Sequence, residues 1–160
     1  MTLYQSVVAG CILLAAGFVD MQGTGAAKGG FAGENPWAAE HIDALPNDIR
    51  RQISKYEQLC GSKALAGHYF AVSIEAGNHK FVSLHFEEFA CGKRAAVCNA
   101  DGCLHEVFVE SRGGHRLVFN AYARDVKLSN DQGVVGLRIE KGTSTFLLKW
   151  NGRSFLPISD

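Results

Sequence analysis

The spacing of apolar residues changes near residue 60, and this change constrains the fold more than any other feature of the sequence. Before it, four residues share one helical stripe: Ile49, Ile53, Tyr56 and Cys60. Such a stripe is typical of an amphipathic helix that lies on a sheet. Pro46 suits the first turn of this helix and Gly61 suits its end. Beyond Gly61 the apolar residues alternate with a period of two, which indicates strands.

The strand-like segments are short and are separated by turn residues. They cover residues 69–74, 81–86, 104–110, 117–123, 126–128, 135–139 and 146–150. Short strands that follow one another at such spacing, each joined to the next by a turn, predict an antiparallel meander. The expected fold class is therefore α+β, with one N-terminal amphipathic helix packed on a six-to-eight-stranded antiparallel meander sheet that disulfides staple. The Asn151-Gly152 dipeptide predicts a two-residue type I′ hairpin, in which both residues adopt positive φ.

The N-terminus has the features of an export signal. Residues 7–19 form an apolar run of 13 residues, which fits a signal peptide and is too short to span a bilayer. Cleavage after Ala26 or Ala27 fits the small residues found there. No Lys or Arg precedes the run, so an uncleaved membrane-associated segment stays open as the alternative, and Cys11 is interpreted as part of the run rather than as a lipidation site. The predicted organisation is a signal peptide at 1–27, a flexible lead at 28–36 and a single α+β domain at 37–160.

Four cysteines remain once the signal is removed: Cys60, Cys91, Cys98 and Cys103. An even number in an exported chain predicts two disulfides, for which three pairings exist. Cys98–Cys103 is favoured because it closes a tight loop over an Asp-Gly turn, and Cys60–Cys91 then joins the end of the helix to the end of a strand. A zinc site of the four thiolates, or with His105 replacing one of them, is the alternative. The absence of Cys-x-x-Cys and an oxidising compartment disfavour it.

The balance of charge and the absence of motifs exclude several functions. Lys+Arg and Asp+Glu both total 16, and no basic cluster is interleaved with aromatic residues, so nucleic-acid binding is disfavoured. The chain has no Gly-x-Ser-x-Gly turn and no phosphate-binding loop after a strand. No cofactor is expected.

Two histidines on neighbouring predicted strands are the main candidates for chemistry. His85 is expected on the face of its strand opposite to the core. If its strand pairs with residues 104–110, then His85, Glu87, His105 and Glu106 could converge as a metal site or as acid–base groups. The competing interpretation places both histidines on a partly exposed sheet face with a structural role. No catalytic residue and no metal ion is assigned on this basis.

Several motifs resemble a group of small exported proteins of Gram-negative bacteria that have no assigned activity. They are HIDALPNDIR at 41–50, the segment ending at Cys60-Gly61, the spacing of Cys98 to Cys103-Leu104, and WNGRSF at 150–155. The resemblance covers about residues 37–156. These motifs are structural, so the resemblance implies an envelope or secreted location and carries over no functional residue.

Together these features favour a non-enzymatic module in the periplasm or outside the cell. Its expected partner is a protein or an envelope component, and its only expected contact with a membrane is through the export signal. A small disulfide-linked sheet suits a binding surface, although a fold alone does not determine a function. The alternative is a small hydrolase or a metal-binding protein built on His85, His105, Glu87 and Glu106.

Overall fold

A computed structural model describes residues 36–158 of the chain. The predicted signal peptide, Cys11 and all but the last residue of the predicted lead lie outside the described residues. Within residues 36–158 the chain forms two α-helices and eleven strands, and every strand pair is antiparallel. The described part is therefore mostly antiparallel sheet.

The predicted amphipathic helix is present. It is α2, Asn47–Cys60, and it follows a single-turn helix, α1, Glu40–Asp43. Pro46 lies immediately before α2, and Gly61 ends it with φ +72°, a left-handed conformation that glycine adopts without steric cost. Three of the four stripe residues are buried: Ile49, Ile53 and Cys60.

The strands fall into three sheets. In chain order they are β1 (Leu65–Ala66), β2 (Ala71–Ala76), β3 (His79–His85), β4 (Phe89–Ala90), β5 (Cys98–Asn99), β6 (Gly102–Ser111), β7 (Gly114–Ala123), β8 (Asp125–Asp131), β9 (Val134–Lys141), β10 (Ser144–Trp150) and β11 (Phe155–Pro157). A central sheet contains β2, β3, β5, β6 and β7, a second sheet has the order β11-β10-β9-β8, and β1 pairs with β4. The eleven strands described are thus divided among sheets of five, four and two strands, whereas the sequence predicted one sheet of six to eight.

The central sheet is covered on both of its faces. On one face, Leu84 and Phe108 pack with Ile49 and Ile53 of α2. On the other face, a second core contains residues from both sheets: Phe81, Val107, Val109, Val126, Leu137, Ile139 and Phe155. The described residues thus form three layers, helix on sheet on sheet, rather than one helix on one sheet. The face of β3 opposite to the helix, which the sequence analysis did not assign to the core, is buried.

The turn at Asn151-Gly152 differs from the prediction. Trp150 pairs with Phe155, so the loop holds four residues instead of two. The Asn151 side-chain oxygen accepts the backbone N–H groups of Arg153 at 2.9 Å and Ser154 at 2.8 Å, which closes an Asx-type turn. The Asn151 N–H donates to the Ser154 carbonyl oxygen at 3.1 Å, which closes the four-residue loop.

Both expected disulfides are present, with the favoured pairing. Cys60–Cys91 joins the end of α2 to the residue after β4, and Cys98–Cys103 joins two residues that face each other in the β5–β6 ladder. The alternative thiolate zinc site is therefore not formed. Two disulfides indicate an oxidising compartment outside the cytoplasm.

Candidate functional site

The pairing of β3 with β6 brings the two candidate histidines together. Their residues face each other in the ladder, and the Nδ1 atoms of His85 and His105 are 3.2 Å apart. The imidazole rings are almost perpendicular, with an interplanar angle of 86°. Directly opposed residues of an antiparallel pair lie on the same face, so the strand register itself produces this contact.

Glu87 joins the histidines from the short 3₁₀ turn Phe86–Glu88 that follows β3. Its Oε1 is 3.5 Å from Nδ1 of His85, and its Oε2 is 3.7 Å from Nε2 of His105. Each of these three residues offers a possible ligand atom, and the three atoms lie within 4.8 Å of one another. We call His85, Glu87 and His105 the His-Glu cluster.

Glu106 does not join the cluster. Successive residues of a strand point to opposite faces, so Glu106 points toward α2, whereas His105 points toward the second sheet. Glu106 is buried, and its Oε1 accepts hydrogen bonds from the Tyr56 hydroxyl at 2.6 Å and from Nε2 of Gln52 at 3.3 Å. Burial raises the pKa of Glu106, and the two hydrogen bonds only partly oppose this effect.

The members of the cluster differ in exposure. The side chain of His105 is fully buried, that of His85 is 12% exposed and that of Glu87 is 36% exposed. Burial lowers the pKa of His105, although the Glu87 carboxylate opposes the effect. Burial alone would raise the pKa of Glu87, but the hydrogen bond with His85 and the charge of His105 outweigh it and lower that pKa. The two shifts favour a neutral His105 imidazole beside an ionised Glu87 carboxylate.

A backbone carbonyl determines the tautomer of His105. Nε2 of His105 is 3.2 Å from the carbonyl oxygen of Ala123 at the end of β7. A carbonyl oxygen only accepts hydrogen bonds, so Nε2 carries the proton and donates it. The lone pair of the neutral ring is then on Nδ1, which is the atom that faces His85.

The backbone of Glu87 is held by a residue that sequence reasoning missed. The Arg94 guanidinium donates to the carbonyl oxygens of Glu87 at 3.1 Å and Phe89 at 3.3 Å. It also lies 3.4 Å from the Cys103 sulfur. These bonds hold the turn that presents Glu87. Because they go to backbone atoms, no spacing of residue types in the sequence indicates them.

The cavity along α2 lies away from the cluster. It has a volume of about 550 Å³, and its lining includes Arg50, Arg51, Glu57 and Lys63 but none of the four candidate residues. Glu87, with a side chain that is 36% exposed, is the member of the cluster most accessible to solvent.

A second feature lies on the outer face of the second sheet, which points away from the central sheet. Leu147 is 52%, Leu156 50% and Ile158 53% exposed. Leu156 faces Lys149 in the β10–β11 ladder, and the Ile158 N–H donates to the Leu147 carbonyl oxygen at 3.1 Å. We call Leu147, Leu156 and Ile158 the outer-face patch. The alternation in β10 predicts Phe146, Leu148 and Trp150 as one face and gives no prediction for the opposite face.

Comparisons with protein-family models, with curated proteins and with solved structures find no match to this chain. No helix among the described residues has the length and apolar character needed to cross a membrane. What the molecule does must therefore be inferred from its own surfaces and side chains.

Proposed function

We propose that this chain is an exported accessory module that binds another protein through the outer-face patch, in the periplasm or outside the cell. The observation that carries the proposal is the exposure of three large aliphatic side chains side by side on one sheet face. Contiguous exposed apolar residues with a polar rim are typical of surfaces that bind proteins, whereas single exposed ones need no explanation.

The surroundings of the patch suggest the chemistry of the partner. Lys149 faces Leu156 in the ladder, and Arg138 faces Leu147. Arg138 is already paired with Glu140 at 2.9 Å, so Lys149 is the better placed cation for a partner. The surface that fits is an apolar segment with Asp or Glu at its margin. Covering the exposed half of each aliphatic side chain contributes about 1 kcal/mol per residue.

The location outside the cytoplasm is supported by the two disulfides and by the apolar run at residues 7–19. A soluble module that acts there must keep its fold in an oxidising and protease-rich environment, and disulfides serve this purpose. The resemblance to small exported proteins of Gram-negative bacteria agrees with this location.

The hydrolase alternative receives less support than binding. It required His85, His105, Glu87 and Glu106 around one substrate site, but Glu106 points to the other face of β6. The cavity along α2 is lined by none of these residues. The metal-binding form of the alternative does not need Glu106, and a separate set of distances supports it.

Capture from envelope extract, with the patch altered and a matched control, tests the proposal. The control is Leu59→Asp, because Leu59 is 57% exposed on α2, away from the patch. We expect wild-type protein and Leu59→Asp to retain the same partner, and Leu147→Asp to lose it. The affinity of the purified partner should then fall at least about tenfold with Leu147→Asp, as expected when a charge replaces an apolar anchor.

Two outcomes contradict the proposal. One is a partner that Leu147→Asp binds as well as the wild-type protein does. The other is a wild-type dimer in sedimentation that Leu147→Asp converts to a monomer, because a second copy of the chain then covers the patch.

A further inference from the structure

We propose that the His-Glu cluster is a Zn²⁺ site, in which Nδ1 of His85, Nδ1 of His105 and the Glu87 carboxylate are the protein ligands. This inference does not depend on the outer-face patch or on its partner. It rests on the distances within the cluster, on the hydrogen bond behind His105 and on an unpaired oxygen of Glu87.

The distances within the cluster match the spacing of zinc ligands. Two ligand atoms at tetrahedral angles, each about 2.0–2.1 Å from Zn²⁺, are about 3.3 Å apart. The two Nδ1 atoms are 3.2 Å apart, and Oε1 of Glu87 is 3.5 Å from Nδ1 of His85. Two of the three spacings that this Zn²⁺ site requires are therefore already present to within a few tenths of an ångström.

The hydrogen bond behind His105 is the kind that supports a metal-binding histidine. Such histidines donate their second ring N–H to a carboxylate or a backbone carbonyl, which fixes the tautomer and the ring orientation. Nε2 of His105 donates to the Ala123 carbonyl oxygen in this way, at 3.2 Å. The ring is held between two strands and is fully buried, so its Nδ1 lone pair has one fixed direction, toward His85.

The Glu87 carboxylate has an oxygen that lacks a hydrogen bond. Its Oε2 is buried and has no hydrogen-bond partner, and a buried unpaired oxygen of a carboxylate is costly. A cation bound by Oε1 between the two imidazoles would neutralise the carboxylate to which Oε2 belongs. Glu87 is also the most exposed member of the cluster, at 36%, and this provides a path by which an ion can enter.

The donor set selects the class of metal. Two imidazole nitrogens and one carboxylate suit Zn²⁺, whereas Ca²⁺ requires six to eight oxygen ligands. Three protein ligands leave a fourth tetrahedral position for water or for a group from a partner. The alternative is a hydrogen bond between the two imidazoles without any metal, and this alternative predicts that Zn²⁺ does not bind.

Calorimetry with Zn²⁺ distinguishes the two possibilities. The protein is exported to the periplasm, purified with both disulfides intact, stripped with a chelator and titrated with Zn²⁺ or Ca²⁺. We expect one Zn²⁺ per chain and no binding of Ca²⁺. Glu87→Gln and His85→Ala should each weaken Zn²⁺ binding by more than about tenfold, because even changes behind the ligands cost about 10–100-fold.

Two variants serve as matched controls. Glu106→Gln changes the carboxylate next to His105 on the opposite face of β6, and His79→Ala removes an exposed histidine at the start of β3. Both should bind Zn²⁺ as the wild-type protein does. Circular dichroism verifies that each variant is folded. If either Glu87→Gln or His85→Ala does not fold, the other variant alone tests the site.

The absorption spectrum of bound Co²⁺ gives a second readout, since tetrahedral coordination by His and Glu produces a visible band that Glu87→Gln should remove. The proposal is overturned if the wild-type protein shows no Zn²⁺ binding. It is equally overturned if Zn²⁺ binds but Glu87→Gln and His85→Ala bind it with unchanged affinity.

Discussion

At the scale of the residue, Gly102 shows how closely β6 and β7 approach each other. Its φ is +126°, and a Cβ atom at this position would lie 2.0 Å from the Ala123 carbonyl oxygen. This is the carbonyl that accepts the hydrogen bond from His105. Gly102 therefore keeps the backbone close enough for the cluster to have its observed geometry.

We expect Gly102→Ala to lower the free energy of unfolding by about 2 kcal/mol or more, because it adds a steric clash with backbone atoms to the strain of a positive φ. Urea denaturation measures the loss. Gly113→Ala is the matched control, since Gly113 has φ +83° but no atom within 4 Å of the added Cβ. If the two variants lose the same stability, the clash has no effect.

Glu106 predicts a pH dependence of stability. Its pKa is raised by burial above the ordinary value of 4.5. A carboxyl group with a raised pKa contributes stability that is complete below the unfolded pKa and is lost as pH rises through the folded pKa. We therefore expect Glu106→Gln, which keeps an acceptor for the Tyr56 hydroxyl, to be more stable than the wild-type protein at pH 7.

Thermal unfolding of both proteins across pH 4 to 8 checks whether their difference in stability rises or falls with pH. The stability advantage of Glu106→Gln should grow as pH rises above about 4.5. An advantage that grows toward acid instead would mean that the ionised form of Glu106 is the one that the fold stabilises.

The candidate site was only partly predictable at this scale. The sequence places His85 and His105 on neighbouring strands, but their contact depends on a register that one-residue slippage would destroy. Glu87 joins them because the chain leaves the strand after His85 and turns. Glu106 does not, since it occupies the next position along an unbroken strand.

At the scale of the element, one carboxylate links α2 to the β6–β7 hairpin by hydrogen bonds. Asp48 in the first turn of α2 accepts the backbone N–H of His115, and its Oδ1 is 3.1 Å from Nδ1 of the same residue. Burial alone would raise the pKa of Asp48, but the hydrogen bonds and the charge of His115 lower it below 3.8.

We expect Asp48→Asn to lower the free energy of unfolding at pH 7 by about 1 kcal/mol, the usual value for a partly exposed hydrogen bond. A lowered pKa contributes stability that is present above the unfolded pKa and is lost as pH falls through the folded pKa. The difference from the wild-type protein should therefore shrink below pH 3.8. Urea denaturation at pH 7 and pH 3 measures it, with Asp43→Asn in α1 as the control.

The turns show which local signals were reliable. Asn-Gly at residues 151–152 favoured a type I′ turn, but the side chain of Asn151 formed a larger loop instead. The two positive φ angles of a type I′ turn occur at Arg112-Gly113 and Gln132-Gly133. There the tight pairing of the flanking strands imposes a conformation that Arg and Gln rarely adopt, and no propensity of those residues indicates it.

At the scale of the whole molecule, the two disulfides should differ in their contribution to stability. Cys60–Cys91 spans 31 residues and Cys98–Cys103 spans 5. In the loop-entropy description, the long bridge contributes about 3–4 kcal/mol and the short one about 2 kcal/mol.

We therefore expect replacement of Cys60 and Cys91 by alanine to lower the midpoint of urea denaturation more than replacement of Cys98 and Cys103. Cys60 is also buried, so its truncation adds a loss of packing in the same direction. The reverse order would show that the length of the closed loop does not determine how much each disulfide contributes to stability.

The second sheet is the largest feature that the sequence analysis did not predict. An amphipathic helix and alternating strands predict a sheet with one covered face. They do not indicate which strands fold back to cover the opposite face of that sheet. The consecutive apolar residues Val107, Phe108 and Val109 are a signal of strands buried on both faces.

The crossing from the central sheet to the second sheet takes a single residue, Arg124, which lies between the last residue of β7 and the first of β8. Its N–H donates to the Glu140 carbonyl oxygen at 2.8 Å, and its guanidinium pairs with the Glu140 carboxylate at 2.6 Å. Because this connection is one residue long and is bonded to Glu140 of β9, it limits how far the two layers can move apart at this end. Amide protons along the middle of β6 should consequently exchange with deuterium only when the entire domain unfolds.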